Sequence, residues 1–375
     1  MRTKHLIPLV AAVGAVALPT PAGAAGPSGT VVLHQKDFQD EFSQIYMARA
    51  DGSSGLRALT TPESAPVPAD CWNGNCGAEY PEWAPDGSRV FFDASWLAFI
   101  HVWSVLPDGS DPMMEPAIED FDGAVTISPD GTLMATDGGS EDESVPNGIY
   151  LRDRATGAVT RLTTGPRDGF DSHPDIAPDN STVVFQRFHK NSCECRGRDY
   201  RAEIWAVDTD GTNLRRLLSG GRVWGDPHYS PDGTKILVHA YDDRATQGAN
   251  SNQFTIRPDG SHLTQLTNRP NGEFAFSGDW SPDGQHIAYV SYTRGDDHLE
   301  IRSLSASGVD ESLIAGCDPV LFCDVPNWGV YDGPLPAVAS AATARASAAR
   351  VARGPAQRRA ARRMRRAVAR QLRNG

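Results

Sequence analysis

The sequence predicts an all-β fold: a six-bladed β-propeller closed by pairing of its N- and C-terminal strands, followed by a basic C-terminal tail. Three observations predict it. One turn signature occurs five times, a second hairpin signal occurs six times between those turns, and the copies are 44 to 53 residues apart. Such a spacing is the period of propeller blades rather than of helical solenoids.

The turn signature is clearest in "DWSPDGQHIAYV", Asp279 to Val290. Serine suits the first position of a type I turn, proline presets φ at the second, and glycine accepts the positive φ that closes the turn. The flanks, Trp280 before and His286 to Val290 after, are aromatic and β-branched enough for strands. The same arrangement returns as "WAPDGSRVFF" from Trp83, "ISPDGTLMAT" from Ile127, "IAPDNSTVVF" from Ile176 and "YSPDGTKILV" from Tyr229. In the Ile176 copy Asn180 replaces glycine, and asparagine is the side chain that best tolerates the left-handed region. A sixth anchor, Trp328 in "VPNWGV", stands where another copy would begin, without the turn.

Between consecutive anchors a second hairpin follows a short apolar strand, starting at Ile45, Val102, Ile149, Ile204, Phe254 and Ile301. The register is offset. Outer strands near Val31 and Ile45 come first, and the missing inner strand, around Trp328, comes last. Pairing the two ends closes the ring and leaves only short protected strand edges.

The aromatic, Ser-Pro-Asp-Gly and apolar strand of this repeat resemble the TolB-like six-bladed β-propeller, a WD-repeat-like propeller family, over roughly Val31 to Val330. The resemblance implies the propeller fold. TolB itself carries an α/β domain ahead of its propeller, whereas only a leader precedes the first strand here, which counts against a Tol-Pal role. Related propellers precede prolyl-oligopeptidase-type hydrolase domains, but the chain has no G-x-S-x-G nucleophile elbow.

Three segments are expected: a signal peptide over 1–24, the propeller over 29–332 and an Ala/Arg-rich tail, disordered or helical, over 333–375. Arg2 and Lys4 precede an apolar run from Leu6 to Leu18, and Ala22 and Ala24 flank a small-residue cleavage site. The run is shorter than the ~20 residues of a membrane-spanning helix. An extracytoplasmic location, secreted or in the cell envelope, follows. The six cysteines form three close pairs, Cys71 with Cys76, Cys193 with Cys195 and Cys317 with Cys323, which in an oxidising compartment read as disulfides stapling loops. Other pairings remain open, in particular cross-bridges between the loops before Trp83 and Trp328. The Cys193/Cys195 spacing is not that of a zinc site.

The chain carries a formal charge of −12. Residues 333–375 contain 11 arginines and no acid, and the leader contributes two further positive charges, which leaves −25 over residues 25–332. Such a body repels nucleic acid and favours cations or basic partners. In the tail, Ala356, Ala360, Met364, Val368 and Leu372 form an i, i+4 series among arginines. This series suits contact with an anionic surface, or a solvated extension that folds against its own acidic propeller.

Propeller inner strands are expected to start beside the central channel, so the residues just before the anchors are candidate channel residues: Glu82, Thr126, Asp175, His228, Asp279 and Asn327. Two positions earlier stand Tyr80, Ala124, His173, Asp226, Ser277 and Val325, of which His173 and Asp226 join the candidate set. Three carboxylates and a histidine suit a cationic group or a calcium ion; a water-filled channel needs polar lining in any case. No other cofactor and no catalytic residue is indicated. Adjacent residues on one strand, such as Ser172 and His173, point to opposite faces, so proximity in sequence does not by itself make an acid–base pair of His173 with Asp171 or Ser172, or of His228 with Asp226. The turn aspartates read as structural. The function expected is that of an exported, monomeric binding or scaffold propeller, recognising a protein, a cell-envelope ligand or a small molecule through its channel mouth and interblade loops. The alternative is a propeller-based lyase or hydrolase acting on carbohydrate or peptide. The long loops Ser64 to Tyr80 and Phe188 to Glu203 are the contact candidates.

Overall fold

The computed structural model describes residues 27–37, 43–65, 77–96, 100–139, 147–167, 169–189, 201–241, 250–295, 298–318 and 321–336. The expected leader, the tail beyond Pro336, both cysteine pairs Cys71/Cys76 and Cys193/Cys195, and most of the two long loops lie outside the described residues. Apart from one 3₁₀ turn at Pro62–Ser64, every regular element among the described residues is a strand.

The first strands are β1 (Thr30–Asp37), β2 (Ser43–Arg49) and β3 (Arg57–Ala58). A second set follows in β4 (Ala78–Trp83), β5 (Val90–Ala94), β6 (His101–Val105) and β7 (Met113–Met114). The third set is β8 (Phe121–Ile127), β9 (Leu133–Gly139), β10 (Gly148–Asp153) and β11 (Val159–Arg161). The fourth is β12 (Gly169–Ile176), β13 (Thr182–His189), β14 (Arg201–Asp208) and β15 (Arg215–Leu218). Then come β16 (Val223–Tyr229), β17 (Ile236–Tyr241), β18 (Ser251–Ile256) and β19 (Thr264–Gln265). The chain ends its sheets with β20 (Glu273–Trp280), β21 (His286–Thr293), β22 (His298–Ser305), β23 (Ser312–Gly316) and β24 (Leu321–Gly329).

Four of these groups are separate four-stranded antiparallel sheets, fewer than the six separate sheets expected. The other eight strands belong to one sheet, in which β16–β19 and β20–β23 meet through a single parallel pair, Ser251 with Phe274. A lone bridge of this kind arises where two neighbouring sheets approach edge to face, and each half keeps the antiparallel order of a blade. The expected closure is present. β24 pairs with β1 from Thr30↔Gly329 to Asp37↔Leu321 and takes the inner position of the sheet β24-β1-β2-β3.

Packing completes the ring. Successive residues of a strand face opposite sides, so a strand covered on both faces must be apolar at consecutive positions. Val31 and Leu33 pack with Ala288, Val290 and Ile301, whereas Val32 packs with Trp83, Val90 and Phe92. Four further clusters fill the remaining gaps, centred on Phe91 with Ile127, Ile149 with Phe185, Val184 with Val238, and Leu237 with Tyr289. Each cluster joins one group of strands to the next, and the series returns to its start.

The five turns form as the sequence predicts. The fourth-residue amide donates to the first-residue carbonyl in every copy, Gly87 to Ala84, Gly131 to Ser128, Asn180 to Ala177, Gly233 to Ser230 and Gly284 to Ser281, at 2.7–2.8 Å. Asn180 has φ 60° and Gly284 φ 67°, so the asparagine does the backbone work of the glycines. The disulfide links Cys317, the residue after β23, to Cys323 in β24 with a Cα–Cα distance of 6.3 Å.

Candidate functional site

The six inner strands, β4, β8, β12, β16, β20 and β24, share one irregularity. Each has a residue in the left-handed region two positions before the channel residue: Tyr80, Ala124, His173, Asp226, Ser277 and Val325, with φ between 40° and 51°. The strand register shifts at the same place in every copy, as between Glu79 and Glu82 or Ser172 and Asp175. A bulge re-aims side chains and takes a backbone amide out of the ladder. Here the neighbouring group of strands accepts several of those amides: His34 Nδ1 takes that of Tyr80 at 3.4 Å and His239 Nδ1 that of Ser277 at 3.2 Å. The Val325 amide donates to Asp324 Oδ1 at 2.9 Å. None of these six positions is glycine, so the strain is held by the surrounding contacts.

The channel residues lie immediately before the anchors, near the end of each inner strand, not at its start as expected. Their side chains link one inner strand to the next. Asp279 Oδ2 accepts the Trp328 amide at 2.8 Å, Asn327 Oδ1 the Trp83 amide at 2.8 Å, and Asp175 Oδ2 the Tyr229 amide at 2.6 Å. Asn327 Nδ2 also donates to Glu82 Oε2 at 2.5 Å and Asp279 Oδ2 at 3.1 Å, and the Thr126 hydroxyl donates to Asp175 at 3.2 Å. Glu82, Thr126, Asp175, Asp279 and Asn327 are thus joined between neighbouring inner strands, and His228 reaches the same ring at Asp279. Because the anchor amides sit at strand ends, their buried donors need these acceptors.

Within the ring the carboxylates occupy alternate strands, Glu82 on β4, Asp175 on β12 and Asp279 on β20. Burial pushes all three upward. It takes Asp279 to about 7 against the amides of Trp328 and Trp280, and Asp175 to about 6. Burial followed by the charges of Asp279 and Asp175 holds Glu82 well above the usual carboxylate range. Four of the ring residues, Glu82, Asp175, Asp279 and Asn327, floor a cavity of about 290 Å³. Its walls are the prolines of the five turns, Pro85, Pro129, Pro178, Pro231 and Pro282, the anchor side chains, and Val330. The result is an apolar mouth above three acids.

The two remaining candidates, His173 and Asp226, belong to the bulge tier. His173 Nε2 lies 3.7 Å from Asp226 Oδ1 on the next inner strand, and His228 Nδ1 lies 3.6 Å from Asp279 Oδ1. Imidazole and carboxylate therefore pair across strands, while neighbours in sequence do not. Asp226 also accepts from Ser277 Oγ at 2.7 Å and faces His239 Nδ1 at 3.5 Å. Burial alone would raise the Asp226 carboxyl, but His173, His239 and Ser277 outweigh it and hold it below its usual value. Burial lowers His34 to about 4. An imidazole against a carboxylate is the unit of general-base chemistry, but Ser277 Oγ donates to the acid and not to an imidazole, so Ser277 forms no nucleophile–base contact among the described residues of this tier. Among the described residues no three His, Cys, Asp or Glu side chains are placed to hold a metal ion together.

Sequence reasoning missed His34, His239 and Asp324, which reach this tier from β1, β17 and β24. The available signal was register: His34 pairs with Asp324, beside the bulge at Val325. The turn aspartates behave as expected of structural groups. Asp283 Oδ1 accepts from Ser281 Oγ at 2.6 Å and from the Gln285 amide at 3.0 Å, and the other four copies accept equivalent amides.

No family model matches the chain. It is 32% identical over 150 residues, 38% of its length, to an uncharacterized protein of Agrobacterium fabrum. It is 29% identical over 234 residues, 54% of its length, to the protein HIR1 of Yarrowia lipolytica. The chain spans 47% and 20% of the lengths of these curated relatives. Among solved structures it is similar to TolB from Acinetobacter baumannii, with TM-score 0.59 and 18% identity, over 81% of this chain and 67% of that one. A putative TolB from Agrobacterium tumefaciens gives TM-score 0.52 and 18% identity, over 80% of this chain and 99% of that one. At such identities the likeness concerns the fold: a β-propeller with TolB-like neighbours.

Proposed function

We propose that this chain is an exported binding propeller that takes a basic, protruding segment of a protein partner into the mouth formed by its Pro-Asp-Gly turns. The observation that carries this reading is the alternation of Glu82, Asp175 and Asp279 at the floor of an apolar mouth. A lysine or arginine suits both parts, since its apolar stem packs on prolines while its charged head meets carboxylates. The formal charge of −25 over residues 25–332 adds long-range attraction for a basic partner. The Cys317–Cys323 disulfide fits an oxidising compartment, and with the leader motif it supports export.

Protonation makes the reading specific. A cation in the mouth favours ionised ring acids, so with Asp279 near 7 and Asp175 near 6, binding must release protons in mild acid. The test is calorimetric titration of the full chain with a short unstructured Lys/Arg peptide and with the same peptide carrying Gln at each basic position. Selective binding of the basic peptide, lost on substituting Val330 by Lys at the mouth, is the expected result. Equal binding of the two peptides would refute the reading.

A further inference from the structure

The mouth and the end of the described chain adjoin. After β24, Val330 lines the cavity, Tyr331 stacks on Trp83 with ring centroids 5.4 Å apart, and Leu335 packs into the same cluster as Trp83. Arg49 donates to the carbonyls of Tyr331, at 3.3 Å, and of Asp332, at 3.2 Å, and so fixes this strap at the rim. The chain thus reaches its last described residue, Pro336, six residues after it leaves the rim of the acid-floored opening at Val330. The sequence beyond it, residues 337–375, carries 11 arginines and no acid.

From these observations we infer that the mouth's own occupant is the chain's C-terminal segment, residues 354–375, bound in cis. This rests on the reading of the mouth as a site for basic segments and names the first such segment it would meet. Charge complementarity is one argument: six arginines, Arg358, Arg359, Arg362, Arg363, Arg365 and Arg366, lie within nine residues. Reach is the second, because residues 337–353 span up to ~55 Å when extended, ample to return to an opening whose rim the chain left at Val330. Apolar match is the third. Met364, Val368 and Leu372 recur at i, i+4 spacing, and the mouth offers prolines and the 47% exposed Val330 as their counterpart. Tethering sets the strength, since a short flexible linker supplies an effective concentration in the millimolar range, enough to occupy a site of modest affinity without a tight interface. A partner's basic segment would then bind by displacing the tail.

The test uses the full chain and a variant in which those six arginines are glutamine. A fluorescent synthetic peptide of residues 354–375 is titrated into each. The inference expects the neutralised chain to bind the peptide at least tenfold more tightly than the parent. Binding of equal strength in both would overturn the inference while leaving the basic-segment reading intact; no binding in either would overturn both. Photo-cross-linking gives a second readout that does not depend on affinity. Benzoylphenylalanine at Pro178, on the far side of the mouth, should cross-link to residues 354–375 of the same chain, and the same group at the exposed Val159 should not. Cross-links only between chains would assign the occupant to a second copy. Absence of cross-links together with arginine-dependent binding to phosphatidylglycerol vesicles would assign the tail to an anionic membrane. Either result would overturn the inference.

Discussion

The aspartates of the five turns and the acids of the channel ring are the same chemistry in the same repeat, yet their surroundings are opposite. A turn acid such as Asp283 is exposed and accepts a hydroxyl and an amide from its own turn; burial is the largest single influence and acts upward, but the hydrogen bonds from Ser281 and Gln285 together outweigh it and hold the carboxyl below its usual value. A ring acid such as Asp279 is 8% exposed, accepts an amide from the next inner strand, and is raised to about 7 by burial. The turn acid is identical in all five copies because one local backbone geometry demands it. The ring position varies, Glu, Thr, Asp, His, Asp and Asn, because more than one kind of polar group can serve an anchor amide.

The difference ranks the effects of substitution. The largest is expected at an anchor held by a ring acid: Trp328→Ala, at 4% exposure and in the closing strand, should cost about 3–5 kcal/mol in urea unfolding. Asp279→Ala should cost about 2 kcal/mol, because it leaves the buried Trp328 amide unpaired. Replacing Cys317 and Cys323 by serine should cost a similar amount, about 2 kcal/mol, read in the same experiment. Asp283→Ala should cost under about 1 kcal/mol, since water replaces the lost acceptor at an exposed turn. If Asp283→Ala proved as damaging as Asp279→Ala, the contrast between the two sets would fail.

Asp279→Asn sharpens the contrast through pH. An amide oxygen still accepts from Trp328 but carries no charge. The native acid has a folded value near 7 against an unfolded value of 3.8, so the folded state binds more protons and loses stability as pH rises from about 4 through 7. The asparagine variant has no such loss. Relative to the parent it should therefore gain stability between pH 5 and 8, measured as the difference of two melting profiles. That difference removes the opposing contribution of His34, whose value is lowered to about 4 and which adds stability over pH 4 to 6.5.

Much of the fold was legible because turn chemistry is local. Ser-Pro-Asp-Gly dictates its own hydrogen bonds, and Asn180 in place of glycine was readable as the same φ requirement. The ring was legible as a position, since one residue before each anchor could be counted out. Its pairings were not. His173 with Asp226 and His228 with Asp279 join residues more than 50 apart, and the bulges that aim them have no residue type in common: Tyr80, Ala124, His173, Asp226, Ser277 and Val325 all adopt the left-handed region with neither glycine nor asparagine among them. Their conformation is imposed by the ring's packing, which no single strand encodes. The bridge between β18 and β20 was hidden for the same reason, as it depends on how two sheets lie side by side.

The most direct measurement is the affinity of a Lys/Arg peptide for the full chain at pH 5 and at pH 8, in the parent and in Asp279→Asn. The parent should bind at least roughly tenfold more tightly at pH 8, because Asp175 and Asp279 both ionise between the two pH values, and the variant should bind weakly with a flatter profile. Affinity that is independent of pH in the parent, or undiminished in Asp279→Asn, would contradict a cation-binding role for the ring.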